Sequence, residues 1–354
     1  MDNNQTLQEV TKLLKKLIQT PSFSRDEKNA STVIETFLND RSIPFSRKFN
    51  NIWCHNKFFN NEKPTILLNS HIDTVRATDS WTFDPFAAKE VDEKIIGLGS
   101  NDAGGPLVSL LATFIHFYSQ EHLPFNLIFA ASAEEEVSGQ NGIASIIPEL
   151  GEIDLAIVGE PTQMQMAIAE KGLMVVDCIA HGKSGHAARN EGVNAIYIAI
   201  KDIAQIENGI FQKKSAILGE VKTSVTVIEG GHQHNVVPDQ CKFTIDVRTN
   251  EHYSNQKAFD IINEKLESEC KARSYRLNSS SISMNHPLVK RGIELGLNPF
   301  GSPTLSDQAL MPFTSIKIGP GDSARSHTAD EFIYRSEIKD GIETYINLLT
   351  NLKL

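Results

Sequence analysis

The residues of this chain best equipped for chemistry are imidazoles and carboxylates, and they come in short, widely separated groups. His71 stands two residues before Asp73 in Asn69-Ser70-His71-Ile72-Asp73, and three consecutive acids form Glu134-Glu135-Glu136. Glu160 sits in Gly159-Glu160-Pro161-Thr162, and His327 follows Gly319-Pro320-Gly321 after a short loop. Asp102 lies in the glycine-bounded stretch Gly97-Leu98-Gly99-Ser100-Asn101-Asp102-Ala103-Gly104-Gly105. Each group alone is ordinary. A His-x-Asp is commonly a hydrogen-bonded turn, an acidic triplet a solvated run, and a histidine in a Ser/Thr-rich loop an exposed one. Brought together they mean more, because carboxylates gathered in one place need a cation to be buried without a large penalty. Mixed imidazole and carboxylate donors suit zinc, and the same set accepts cobalt or manganese. A carboxylate shared by two such ions holds them about 3.5–4 Å apart, the spacing of two-metal hydrolases, and Asp102 is the candidate bridge.

The surrounding pattern explains how these groups could meet. Four of them follow short, almost continuously apolar runs: Ile66-Leu67-Leu68, Leu127-Ile128-Phe129-Ala130, Leu155-Ala156-Ile157-Val158 and Ile316-Lys317-Ile318. Such runs, alternating with helical stretches such as Leu107 to Tyr118, predict central strands of an α/β sheet covered on both faces. Ligand crevices in such sheets lie at the carboxyl ends of the strands, so one pole would collect the whole set. Two amphipathic helices are expected ahead of them. One carries Leu7, Val10, Leu13, Leu14 and Leu17 and stops at Thr20-Pro21-Ser22; the other carries Ala30, Val33, Ile34, Phe37 and Leu38.

From Lys171 to Met284 the pattern changes to strand (Leu173–Ala180), helix (Val193–Ile206), strand (Val221–Glu229), strand (Cys241–Arg248), helix (Gln256–Cys270) and strand (Tyr275–Ser280). That βαββαβ order predicts a ferredoxin-like domain, residues 171–285, inserted into a catalytic domain made of residues 1–170 and 286–354. A length of 354 residues suits two domains.

Composition narrows the partners. Hydrophobic residues at 40% and charged residues at 22% are those of a soluble globular enzyme. A formal net charge of −10 argues against nucleic acid. No apolar run approaches the roughly 18 residues of a membrane span, so no membrane partner is expected. The opening Met1-Asp2-Asn3-Asn4-Gln5 lacks the basic and apolar regions of a secretory signal. Cys54, Cys178, Cys241 and Cys270 are far apart in sequence and form no CxxC pair, as expected of structural thiols in a reducing cytoplasm.

The motifs, taken in order, resemble the co-catalytic zinc aminoacylase and deacetylase metallopeptidase family, which includes acetylornithine deacetylase, succinyl-diaminopimelate desuccinylase and the aminoacylases. The matching pieces are Ser70-His71-Ile72-Asp73-Thr74-Val75, Gly99-Ser100-Asn101-Asp102, Glu134-Glu135-Glu136 with Gly139 and Gly142, and Gly159-Glu160-Pro161-Thr162. They continue through Ser184-Gly185-His186-Ala187, Gly230-Gly231 with Asn235-Val236-Val237-Pro238, Asp246-Val247-Arg248, and Gly319-Pro320-Gly321 ahead of His327. The resemblance spans essentially the whole chain, the insertion included, and implies a zinc-exopeptidase-like α/β catalytic domain, a mixed and mostly parallel sheet flanked by helices, with the inserted α+β domain serving as lid and dimerisation surface.

Carried over residue by residue, the resemblance makes His71 and Glu160 ligands of one zinc and Glu136 and His327 ligands of another, with Asp102 bridging. It makes Glu135 the general base, Asp73 the residue that orients His71, and His186 an oxyanion donor reaching the site from the opposite subunit of a homodimer. Asn235 and Arg248 would hold substrate, and Ser306-Asp307 loosely resembles a substrate loop of relatives. Two departures stand out: Glu134 replaces the usual aspartate, and Ala103-Gly104 replaces an apolar residue and lysine. The activity implied is removal of an acetyl or succinyl group from the α-nitrogen of an amino acid, with N-acetylornithine expected ahead of acyl-citrulline or succinyl-ornithine, in cytoplasmic arginine biosynthesis. A dipeptidase, an aminopeptidase, a desuccinylase and a catalytically dead binding paralogue are the alternatives.

Overall fold

The computed structural model describes residues 3–189 and 191–354, so Met1 and Asp2 of the polar opening segment lie outside the described residues. By chain contacts it divides into two compact units: residues 1–168, 282–300 and 306–354 form the larger, and residues 169–281 with 301–305 the smaller.

The larger unit is built on a mixed sheet. Its centre is four parallel strands in the order Asn126–Ser132, Thr65–His71, Leu155–Val158 and Ser315–Lys317, paired through registers such as Leu67 opposite Ile128 and Ile316 opposite Ile157. Antiparallel strands Asn51–His55 and Ser46–Lys48 extend it beyond Asn126–Ser132, and Met166–Glu170 extends it beyond Ser315–Lys317. Both faces are covered, which explains why the central strands are apolar throughout instead of alternating. Ile66, Leu68, Leu127 and Phe129 point to one face, where they join Leu13 and Leu14 of helix Asn3–Ile18, Ile34 and Leu38 of helix Lys28–Asn39, and helices Gly105–Tyr118 and Arg335–Leu349. Leu67, Ile128, Ala130 and Ala156 point to the other, where Ile143, Ile146 and Leu150 of helix Ile143–Leu150 cover them. The period-2 alternation of strand side chains produces this division between the two faces. All four parallel strands run the same way, so His71, Ser132, Val158 and Lys317 end at a single pole.

The smaller unit has a four-stranded antiparallel sheet in the order Lys222–Gly230, Gln240–Arg248, Met174–His181, Glu269–Ala272. Helices Ala195–Glu207 and Asn255–Lys265 pack Ala195, Ile198, Ala199, Ala258 and Ile262 onto Met174, Val176, Cys178, Phe243 and Ile245. This is the ferredoxin-like order. The Asn194 side chain accepts the N–H of Ile196 and the Ser254 hydroxyl that of Lys257, so both helices start at polar caps.

One local expectation fails here. The sequence pattern predicts a second helix running to Cys270 and a strand at Tyr275–Ser280; the helix ends at Lys265, and the strand is Glu269–Ala272. The cause is Asp202, buried on the neighbouring helix, whose carboxylate accepts the N–H groups of Glu267 and Ser268 and the Ser268 hydroxyl. Those bonds pull the chain out of the helix and start the strand early. Ser280 and Ser281 pair instead with Glu170 and Ala169.

Candidate metal centre

Main-chain hydrogen bonds hold His71, the acidic turn and the turn that carries Asp102. His71 closes its strand, and its Nδ1 lies 2.9 Å from the Asp73 carbonyl oxygen. A carbonyl can only accept, so Nδ1 carries a proton, and Nε2, 3.2 Å from Asp102 Oδ1, is the nitrogen that faces the site and could bind a cation once its own proton is displaced. Asp73 thus orients His71 through its backbone, its carboxylate standing 3.4 Å from Nδ1. That carboxylate accepts the N–H groups of Glu135 and Glu136, at 3.0 and 3.1 Å, and the Ser24 hydroxyl at 2.8 Å. One aspartate therefore positions both the imidazole and the acidic turn.

The turn that carries Asp102 begins at Gly99, whose φ of 74° lies in the left-handed region and whose missing Cβ would stand 2.5 Å from Thr74 Cγ2. Glu331, buried, accepts the N–H groups of Gly99, Asn101 and Asp102, while its own carbonyl accepts that of Gly97. Asn101 ties the same turn to the loop ahead of His327: its side chain accepts the N–H of Asp322 and donates to the Asp322 carbonyl. Glu331 belongs to no motif of the sequence. Its only signal is its place four residues after His327.

With the turns fixed, the donor atoms converge. His71 Nε2 lies 3.2 Å from Asp102 Oδ1 and 3.9 Å from Glu160 Oε1. His327 Nε2 lies 3.7 Å from Asp102 Oδ2 and 2.9 Å from Glu136 Oε2. Donors on one tetrahedral zinc, with bonds of about 2.0–2.1 Å, stand about 3.3 Å apart. The two oxygens of Asp102 face opposite imidazoles, as a bridging carboxylate requires. Glu135 Oε2 is 4.0 Å from His71 Nε2, and ligand atoms of His71, Asp102 and Glu136, and of His71, Glu135 and Glu160, each fall within 4.8 Å of one another.

The electrostatics favour bound cations. Burial pushes the Glu160 carboxyl up to about 8, with Asp102 and Glu136 adding repulsion and His71 and Lys317 opposing it. Burial likewise raises Glu135 well above the usual carboxylate range, and Glu160, Asp307 and Glu136 push the same way. Burial would lower His71, but the Asp102 and Asp73 carboxylates raise it well above its ordinary value. Asp102, Glu135, Glu136 and Glu160 gather at one pole with the buried acids Asp73, Asp307 and Glu331 close by, and so many carboxylates are ionised together only beside cations.

The remaining expected residues fall in three places. Glu134, in the left-handed region at φ 56°, turns its carboxylate to the N–H and side-chain amide of Asn141, away from the donor cluster. Asp307 is buried, accepting from Ser132 Oγ at 2.6 Å and Asn69 Nδ2 at 2.8 Å, and burial lifts its carboxyl to about 6. Its oxygen thereby joins two strand ends that carry His71 and the acidic turn. His186, Asn235 and Arg248 belong to the smaller unit. There the structure pairs Gly185–His186 with Val236–Val237 in a two-stranded antiparallel sheet, and the N–H of Ala187 bonds to the Asn235 carbonyl, so His186 and Asn235 are neighbours. Arg248 commits Nε and Nη2 to Asp246, at 2.8 and 3.1 Å.

The class that this cluster of imidazoles and carboxylates at one pole of an α/β sheet defines is a metal-dependent hydrolase. Residues 67–351 match peptidase family M20/M25/M40, and the chain belongs to that family, whose members hydrolyse amide bonds. It is 25% identical over 347 residues to the acetylornithine deacetylase of Buchnera aphidicola subsp. Schizaphis graminum, covering 91% of this chain and 89% of that protein. It is 26% identical over 279 residues to the succinyl-diaminopimelate desuccinylase of Blochmanniella floridana, 72% of each chain. A dinuclear metal binding peptidase from Bacillus subtilis shares the fold, with a TM-score of 0.72, 16% identity and 98% of both chains covered. Among the described residues no helix is long and apolar enough to cross a membrane.

Proposed function

We propose that this chain is a di-zinc amidohydrolase that removes an acyl group from the α-nitrogen of an amino acid, N-acetylornithine first among its substrates, in cytoplasmic arginine biosynthesis. One observation carries the hydrolytic part: Asp102 turns one oxygen to His71 and the other to His327, with Glu135 beside them. The choice of an acyl amino acid is supported by the similarity to acetylornithine deacetylase, which runs over nine-tenths of this chain.

His71 and Glu160 would hold one cation, Glu136 and His327 the other, and Asp102 both. Bound there, the cations would supply Lewis acidity towards water and the acyl oxygen. Glu135 takes a proton from the attacking water and returns it to the departing amine nitrogen. His186 supplies a donor for the oxyanion: its Nδ1 accepts the N–H of Ala188, so a neutral ring carries its proton on Nε2. Arg248 and Asn235 bind the carboxylate and backbone of the substrate. A homodimer, in which His186 serves the partner's site, is supported by exposed apolar residues on the smaller unit. Val227 and Ile228 lie on the edge strand Lys222–Gly230, and Tyr197 and Ile200 on the helix Ala195–Glu207.

The test is a substrate panel. The zinc-loaded protein is incubated with N-acetylornithine, N-succinylornithine, N-acetylcitrulline, N-succinyl-diaminopimelate and a set of dipeptides, and free amine is followed. Fast turnover of N-acetylornithine supports the reading. Turnover of dipeptides alone replaces it with a peptidase.

A further inference from the structure

Strand Glu269–Ala272 is an edge of the smaller unit's sheet and pairs antiparallel with Met174–His181, placing Cys270 directly opposite Cys178. The N–H of Arg273 donates to the Val175 carbonyl at 2.9 Å, in the same register, so that pair is a hydrogen-bonded one. Hydrogen-bonded and non-hydrogen-bonded pairs alternate along an antiparallel ladder, which makes Cys270 and Cys178, three steps away, a non-hydrogen-bonded pair. Such pairs bring their Cα atoms to about 4.5 Å, with both side chains on one face. A disulfide spans Cα separations of about 4.4–6.8 Å, so the backbone already meets its requirement. The sulfurs stand 3.1 Å apart and both residues are free thiols. Their accessibility differs. Cys178 is buried in the core beneath the helices, whereas Cys270 is partly exposed.

We propose that Cys178 and Cys270 are a redox modification site, closing to an intramolecular disulfide when the protein meets a peroxide. The partly exposed Cys270 sulfur attacks one peroxide oxygen, becoming a sulfenic acid as the O–O bond breaks and one water leaves. The Cys178 sulfur then attacks the Cys270 sulfur; the S–S bond forms, the S–O bond breaks, and the hydroxyl departs with the Cys178 proton as a second water. Two thiols and one peroxide give one disulfide and two waters, with two electrons passing to the peroxide. A dithiol reductant reverses the step by exchange. The order of attack has support in the pair itself: the hydrogen bond between the two sulfurs holds the Cys270 thiol below its ordinary value although burial opposes it. The product ties an edge strand of only four residues to the strand beside it and restricts the unfolded chain between positions 178 and 270.

The experiment uses the reduced full-length protein with hydrogen peroxide at a few equivalents. Thiols counted after denaturation fall from four to two, and peptide mapping finds Cys178 joined to Cys270. The melting temperature rises by several degrees, and dithiothreitol reverses each change. A Cys54→Ser/Cys241→Ser protein, which keeps only the pair, goes from two thiols to none, and Cys270→Ser keeps its three thiols under the same treatment. Persistence of all four thiols overturns the proposal. So does a Cys270 sulfinic acid beside a free Cys178, or a bridge that joins other cysteines or two chains.

Discussion

Glu331 accepts the N–H of Asp102 at 2.9 Å, through the same carboxylate oxygen that takes the N–H of Asn101 at 2.8 Å. Asp102 is thus held through its main chain by a buried acid that offers it no side-chain hydrogen bond. Burial lifts the Glu331 carboxyl to about 8, with Asp102 adding repulsion and the three N–H bonds opposing both. Glu331→Gln keeps the shape but can turn an amide N–H towards the main-chain N–H groups. The variant is expected to fold and to bind metal about 10–100-fold more weakly, as loss of an outer partner does. Cobalt titration of the metal-free protein, read by visible absorption, checks this, and excess metal is expected to restore the turnover number.

Glu135 is expected to act on protons and to contribute little to metal holding. Glu135→Gln should lower kcat by about 10²–10⁴ while leaving metal content and KM near those of the parent. Turnover measured beside elemental analysis separates the two. Loss of metal with activity would instead make Glu135 a ligand.

Metal binding should release protons. The Glu136 carboxylate raises the metal-free His327 imidazole to about 9. A protonated nitrogen cannot bind a cation, so apparent affinity falls as pH drops below about 9, and by more than about tenfold per unit where the raised His71 and Glu160 groups also give up protons to the metal. Calorimetry in buffers of different ionisation enthalpy counts the protons released at neutral pH. Removal of metal by a chelator is expected to abolish activity, and zinc, cobalt or manganese to restore it.

The strand that presents the acidic turn depends on its packing. Phe129 is fully buried, its ring 6.1 Å from that of Phe114. Phe129→Ala should cost about 3–5 kcal/mol of stability, measured as a lowered denaturant midpoint with an unchanged slope.

What the sequence reveals follows from how each feature is encoded. The central strands are legible because burial on both faces leaves runs such as Leu127-Ile128-Phe129-Ala130, and the donors are legible because they stand at the ends of those runs. Glu331 is not, since a carboxylate that accepts main-chain N–H groups imposes no pattern on the residues it holds. The early end of helix Asn255–Lys265 escapes for the same reason: Asp202 sets it from another helix, 65 positions before Glu267. Cys178 and Cys270 are 92 positions apart, and only the strand register brings them together. Asp73 is legible as a partner of His71, but that its carboxylate grips Glu135 and Glu136 depends on the turn geometry.

The proposed sharing of Asp102 between two cations is open to test by anomalous diffraction from crystals grown with zinc. Two peaks are expected, about 3.5–4 Å apart. One should lie among His71, Glu160 and Asp102 and the other among Glu136, His327 and Asp102. A single peak, or a second one away from Asp102, would contradict the assignment of Asp102 as the bridge.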